Sequence, residues 1–278
     1  ARKKEQESFH HQLGWVSNFP IKEMIERKLI PACKEKIKLL PELLSYFGIA
    51  SVAQWIQSRQ PQAFSVAYRK SPHFESDKYS LSVWLRQGER EAENIPCQPY
   101  NAAKFKKALI AARKISNTTD PKVFVPELIK TCAAAGVAVV FVQELPKTRA
   151  TGATRWLSKD KALIQISLRH KTNDILWFTF FHEAGHILLH AKKKAFVEGV
   201  VKDEYEEEAN NFATDFLIPQ EAYKEFVRAG NFTRQAAAQF AARCGIPPAI
   251  VTGRLKHDEH MDWSACSDVT VRYFWGNN

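Results

Sequence analysis

The chain is poor in cysteine. Its five thiols, Cys33, Cys97, Cys132, Cys244 and Cys266, are odd in number, widely scattered over 278 residues, and form no C-x-x-C pair. That pattern argues against a disulfide framework and against a thiolate metal site. It reads as reduced thiols in a cytoplasm, so any metal must be held by His and carboxylates. Long apolar runs are missing too. No stretch of 18 apolar residues exists, which predicts no membrane span. The start lacks the basic n-region and apolar h-region of a signal peptide. The expected localisation is therefore cytoplasmic. What is present is a hydrophobic content of 45% with 12% aromatics, enough for a packed core in one large or two ordinary domains.

Charge is uneven. Residues 1–120 hold 20 Lys and Arg against 12 Asp and Glu, whereas residues 121–278 hold 20 against 18. Most of the overall charge of +10 thus lies upstream, where it offers a surface for DNA or an acidic partner. The alternative reading is a solvated helical surface.

One short pattern implies definite chemistry. Within the apolar run from Trp177 to His190 stands His182-Glu183-Ala184-Gly185-His186, an H-E-x-x-H. By composition alone it is expected in roughly one such chain in fifty. Four residues are slightly more than one helical turn, so both imidazoles project from one face and can share a Zn²⁺. Glu183 stands beside them, placed to act as general base on a polarised water. Phe178, Phe181, Ile187, Leu188 and Leu189 supply an apolar surround.

Two histidines leave zinc short of its usual three protein ligands. About twenty residues on, 203–219 reads as a second helix ended by Pro219, with Tyr205, Ala209, Phe212, Ala213 and Phe216 at helical spacing. Glu206 borders that apolar face and is the expected third ligand. Glu208 is the reserve. Glu207 points away, and Asn210, one turn after Glu206, is positioned to hydrogen-bond a ligand histidine. His190 is a third in-phase histidine. It lies about 6 Å farther along the axis than His186, awkward for one ion, and is expected to pack or hydrogen-bond nearby. Lys192, Lys193 and Lys194 then suit a helix C-terminus.

A small sheet is expected beside these helices. Residues 137–142 form a buried-strand run after the helix-stop Gly136, and 153–157 and 162–168 flank the turn Ser158-Lys159-Asp160-Lys161. A peptide substrate could add to its edge. For the oxyanion donor the candidates are His170, Tyr205 and Arg155, among which the sequence does not choose.

The block from Ala153 to Pro219 resembles the ImmA/IrrE family of zinc metallopeptidases, of the gluzincin-like group. The resemblance lies in Ile164-Gln165-Ile166-Ser167, Trp177-Phe178-Thr179, the H-E-x-x-H with Leu189-His190, Glu206-x-Glu208-Ala209-Asn210-x-Phe212-Ala213 and Phe216-Leu217-Ile218-Pro219. It continues through Phe240-Ala241 and Gly245-Ile246-Pro247 to Gly253-Arg254-Leu255. It implies zinc held by His182, His186 and Glu206, with Glu183 as base. It further implies a protein substrate, a repressor or transcription factor, in a stress, mobile-element or toxin–antitoxin circuit. Many members follow an XRE-type helix-turn-helix. Trp15-x-x-x-Phe19-Pro20 and Trp84-Leu85-Arg86-x-Gly88 resemble the segment behind it. The chain opens without Met in Lys- and Arg-rich sequence, and the expectation is that a DNA-binding domain preceding Ala1 is missing from it. The rival reading is a transcriptional regulator or antitoxin in which the peptidase-like domain senses or docks.

The expected fold is therefore α+β: a helical region over 1–100, then a gluzincin-like peptidase domain over 101–278 with a small sheet and the H-E-x-x-H helix. Upstream helices are expected at 20–28, 33–47, 51–58, 62–69 and 80–93, and Asn101 caps another over 102–115. Residues 233–255 read as helix, glycine turn, helix. Ala249, Ile250, Val251 and Thr252 suit packing in the second helix better than base reading. The tail 269–275 alternates like a strand or an apolar plug.

Overall fold

The computed structural model describes residues 12–33, 35–58, 77–190 and 203–276. The expected helix at 62–69 and Lys192, Lys193 and Lys194 lie outside the described residues. The fold is α+β, and the chain divides into two compact units, one of residues 1–90 with 143–150, the other of 91–142 with 151–278.

The first unit is helical. Among its elements are α1 (Ile21–Glu26), α2 (Lys36–Phe47), α3 (Val52–Ser58) and the greater part of α4 (Lys78–Glu93). Its core is aromatic. Trp15, Phe19, Phe47 and Trp55 are buried, and the Trp55 and Tyr79 rings stack at 5.4 Å. α2 begins at Lys36 rather than at Cys33. α4 starts two residues before Ser80 because Asp77 caps it, accepting from the Tyr79 amide at 2.9 Å. The stretch Lys36–Ser58 has the length (23 residues) and mean hydropathy (1.2) of a membrane-crossing helix. It is broken at Gly48, whose φ of 64° ends α2, and neither half alone covers the ~30 Å of a bilayer core. Arg27 donates to the Gln143 and Glu144 carbonyls at 2.9 Å, which fastens 143–150 to this unit.

The second unit carries the sheet. Helices α5 (Ala102–Ile115) and α6 (Pro121–Ala133) precede β1 (Val137–Phe141), followed by β2 (Gly152–Ser158) and β3 (Lys161–Ile166). The strand order is β1-β3-β2, with β1 parallel and β2 antiparallel to β3. Asn101 caps α5, accepting from Lys104 at 2.9 Å. α6 was not read from the sequence, although Asp120 caps it and Pro121 sits in its first turn. On the sheet face formed by Val137, Val139, Ala162, Ile164 and Ile166 lies one continuous core with Trp177, Phe180, Phe181 and Ala184.

Those four residues belong to α7 (Asn173–Leu189). It begins a turn earlier than the apolar run suggested. Being apolar almost all round, it is buried as the central helix. Packed on it is α8 (Asp203–Leu217), followed by α9 (Gln220–Ala229), α10 (Arg234–Cys244) and α11 (Pro248–His257). The glycine-turn pair α10–α11 packs inward: Ala249, Ile250, Val251, Thr252 and Leu255 are all buried. The tail forms no strand. It makes a single bridge, Thr172 to Arg272, and buries Tyr273 against Phe124 at 5.5 Å.

Candidate metal centre

α7 presents His182 and His186 one turn apart, and α8 lies against them. What lets α8 so close is Gly185. A Cβ there would stand 3.1 Å from Phe212 Cδ1 and 3.3 Å from the Ala209 Cα. The absent side chain brings the α8 backbone in at Ala209, and Glu206, three residues earlier, reaches the imidazoles. Glu206 Oε2 is 3.3 Å from His182 Nε2, and Oε1 is 3.5 Å from His186 Nε2. The two Nε2 atoms are 3.1 Å apart. Among the described residues these three side chains form the one cluster with ligand atoms all within 4.8 Å.

The outer nitrogens decide which atoms face inward. His182 Nδ1 lies 2.9 Å from Asn210 Oδ1, so with the amide oxygen as acceptor the ring carries its proton on Nδ1. His190 Nε2 lies 3.1 Å from Glu208 Oε2, which puts the His190 proton on Nε2. Its Nδ1, 2.9 Å from His186 Nδ1, then accepts from His186. Both inner Nε2 atoms therefore hold lone pairs, and the Glu206 carboxylate adds more. Three acceptors pointed together with no proton between them are mutually repulsive unless a cation joins them. Ligands 2.0–2.1 Å from a tetrahedral ion stand roughly 3.3 Å apart, close to the spacings here. The residues fit a metal ion.

Electrostatics agree. Burial depresses the His182 imidazole, but the neighbouring Glu206 and Glu183 carboxylates outweigh it, and its pKa is raised from 6.5. The surroundings favour positive charge at that face.

Glu183 is buried and held against β2. A Cβ on Gly152 would come within 2.6 Å of both Glu183 Oε1 and Thr179 Cγ2. The strand backbone thus touches the carboxylate, and only glycine permits it. Two residues on, on the same strand face, Thr154 Oγ1 donates to the Glu183 carbonyl at 3.0 Å. Sequence reading missed both contacts. The glycine was visible, but its partner is 31 residues away.

The remaining candidates are dispersed. The Tyr205 ring lies tilted against His190, at 4.5 Å between ring centroids. His170 is exposed and lines a small depression with Thr151, Ser167, Thr172, Ile175 and Thr179, a turn of α7 away from Glu183. Arg155 is buried on β2, and strand alternation turns it to the face opposite Gly152 and Thr154. Glu207 is exposed.

A comparison with curated proteins finds no match. The family model described as the IrrE N-terminal-like domain, Peptidase_M78, matches residues 137–256, from β1 to the end of α11. A metallopeptidase family implies a metal ion, and the His-His-Glu cluster lies within the matched span. Residues 137–256 of this chain are a Peptidase_M78 domain, of the ImmA/IrrE family of peptidases.

Proposed function

We propose that the chain is a zinc-dependent endopeptidase. The observation that carries this reading is the convergence of His182 Nε2, His186 Nε2 and the Glu206 carboxylate beside the buried Glu183. Zinc bound there would supply a Lewis acid for the scissile carbonyl and acidify a water to a pKa of about 7. Glu183 would act as the general base, accepting a proton from the attacking water at its carboxylate and passing it to the leaving amine. Gly152 and Thr154 hold the carboxylate end and the carbonyl of Glu183 in place. A peptide laid along the start of β2 would pass the depression lined by His170 and Thr179, which supports His170 over Tyr205 and Arg155 as the oxyanion donor.

The proposed substrate is a DNA-binding regulatory protein in a stress, mobile-element or toxin–antitoxin circuit, and the proposed compartment is the cytoplasm. The five free thiols support the compartment. The substrate class rests on the family alone. The test is a comparison of cellular proteomes carrying wild-type and Glu183→Gln protein. One regulator is expected to appear cleaved only with wild type. Full activity of zinc-loaded Glu183→Gln on that regulator would refute the mechanism. A salt-dependent shift of operator DNA by the chain, without proteolysis, would favour a regulator that senses through this domain.

A further inference from the structure

The two ligand histidines are anchored differently. His182 leans on a neutral amide, Asn210. His186 leans on a second imidazole, His190, which is backed in turn by the Glu208 carboxylate. We propose that His190 and Glu208 are positioning residues: a two-step relay that locks His186 in the Nδ1–H form and keeps its Nε2 lone pair on the metal. This rests on the metal centre proposed above.

The geometry requires a fixed order of protons. Two Nδ1 atoms 2.9 Å apart share one proton. If His190 donated it, His186 Nδ1 would be the acceptor and a neutral His186 would carry its proton on Nε2, where it would block coordination. Glu208 Oε2, 3.1 Å from His190 Nε2, is an acceptor only. It holds the His190 proton on Nε2 and leaves Nδ1 to accept. The arrangement is built rather than incidental. The His190 side chain is only 4% exposed, and a buried imidazole needs both nitrogens satisfied. α7 ends at His190, whose backbone turns extended (φ −104°, ψ 126°) while its ring stays over His186 at 4.9 Å. Tyr205, one turn before Glu208 on α8, closes the other side of the ring at 4.5 Å. Tyr205 and Glu208 thus clamp one imidazole, and Glu206 between them faces the metal ligands.

Zinc affinity of the full chain, measured by chelator competition, tests the relay. The Glu208 side chain is 56% exposed, so Glu208→Ala should leave the fold intact. It is expected to weaken zinc binding by about 10–100-fold, with the melting temperature of the metal-free chain within about 2 °C of wild type. Glu208→Gln, which retains an acceptor oxygen, is expected to recover affinity to within about threefold. His190→Phe should lose as much as Glu208→Ala. In the zinc-loaded chain, long-range ¹H–¹⁵N spectra should give His186 the Nδ1–H pattern and His190 the Nε2–H pattern. Wild-type affinity in both Glu208→Ala and His190→Phe overturns the relay alone. So does His190 protonated on Nδ1. Absence of stoichiometric zinc in the wild-type chain overturns the relay together with the metal centre.

Discussion

Two helix pairs of the second unit invite comparison. In α7–α8, Gly185 removes a side chain so that α8 seats closely, and the facing surface gathers three histidines, Glu206, Glu208 and Asn210. In α10–α11, Gly245 turns the chain at φ 69° and ends α10, with the Ile246 amide bonded to the Ala241 carbonyl at 3.1 Å, a Schellman-type stop. Its facing surface gathers Ala237, Phe240, Ala241, Ile250 and Val251, all buried. Both pairs carry a recognisable sequence signature, one of a metal site, one of a helix-turn-helix. Among the described residues, only the first brings together side chains able to hold a metal ion. The signature states which side chains share a face. What that face meets decides whether they do chemistry or pack.

Substitutions can break this contrast. The largest expected effect is at Glu183. Glu183→Gln preserves shape and removes the base, so kcat should fall by about 10²–10⁴ while zinc content, read by metal analysis, stays stoichiometric. Next comes the packing pair. Phe240 is 2% exposed and lies parallel to Phe226 at 4.4 Å. Phe240→Ala should cost about 3–5 kcal/mol in urea unfolding, with zinc affinity of the folded protein unchanged. A large loss of affinity there would mean the two pairs are coupled.

A smaller effect is expected at Gly185. Alanine gains about 1 kcal/mol of helix propensity, but its Cβ meets the Ala209 backbone at 3.3 Å. Overpacking costs about 1–3 kcal/mol. We expect net destabilisation of about 1 kcal/mol and weaker zinc binding, because α8 must retreat with Glu206. A more stable Gly185→Ala chain with full affinity would show that the close approach is dispensable.

An effect of similar size, confined to stability, is expected at the rim of the packing pair. Tyr223 Oη donates to Asp258 Oδ2 at 2.7 Å, and the Arg254 guanidinium lies 4.0 Å from the Tyr223 ring. Tyr223→Phe should cost about 1 kcal/mol at neutral pH. Burial pushes the Asp258 carboxyl up, but hydrogen bonds from His257 and Tyr223 and the Arg254 charge outweigh it, so its pKa is lowered from 3.8. A depressed carboxylate stabilises the fold above its unfolded pKa, and that contribution is lost as pH falls through the folded value. The difference between Tyr223→Phe and wild type should therefore narrow when unfolding is measured below pH 3.8.

Much of the fold was legible. Asn101 and the apolar spacing that follows mark α5 to the residue, and the three strands lie where apolar runs and a polar turn place them. α6 escaped because Pro126 interrupts its pattern, although Asp120-Pro121 announces its start. α9, between Pro219 and Gly230, went unread because its start carries no capping side chain: the N-cap position is Pro219 itself. At the site, His182, His186 and Glu206 come together, and Asn210 lies beside a ligand histidine. Not readable were the link from His190 to Glu208 and the contact of Gly152 with Glu183. Each joins residues on different elements, and periodicity speaks only within one element.

The amino-acid order alone determined that two imidazoles and a carboxylic acid share a helix, because helical pitch is local and fixed. It also determined that an acidic, amphipathic helix follows. Only tertiary packing decided how closely that helix sits, so that Glu206, singled out by helical spacing, reaches both imidazoles while Glu208 backs His190. The seating of α8 against Gly185 sets its rotation about α7, and one residue is about 100° of rotation. That angle separates Glu206, at the Nε2 atoms of His182 and His186, from Glu207, exposed to solvent.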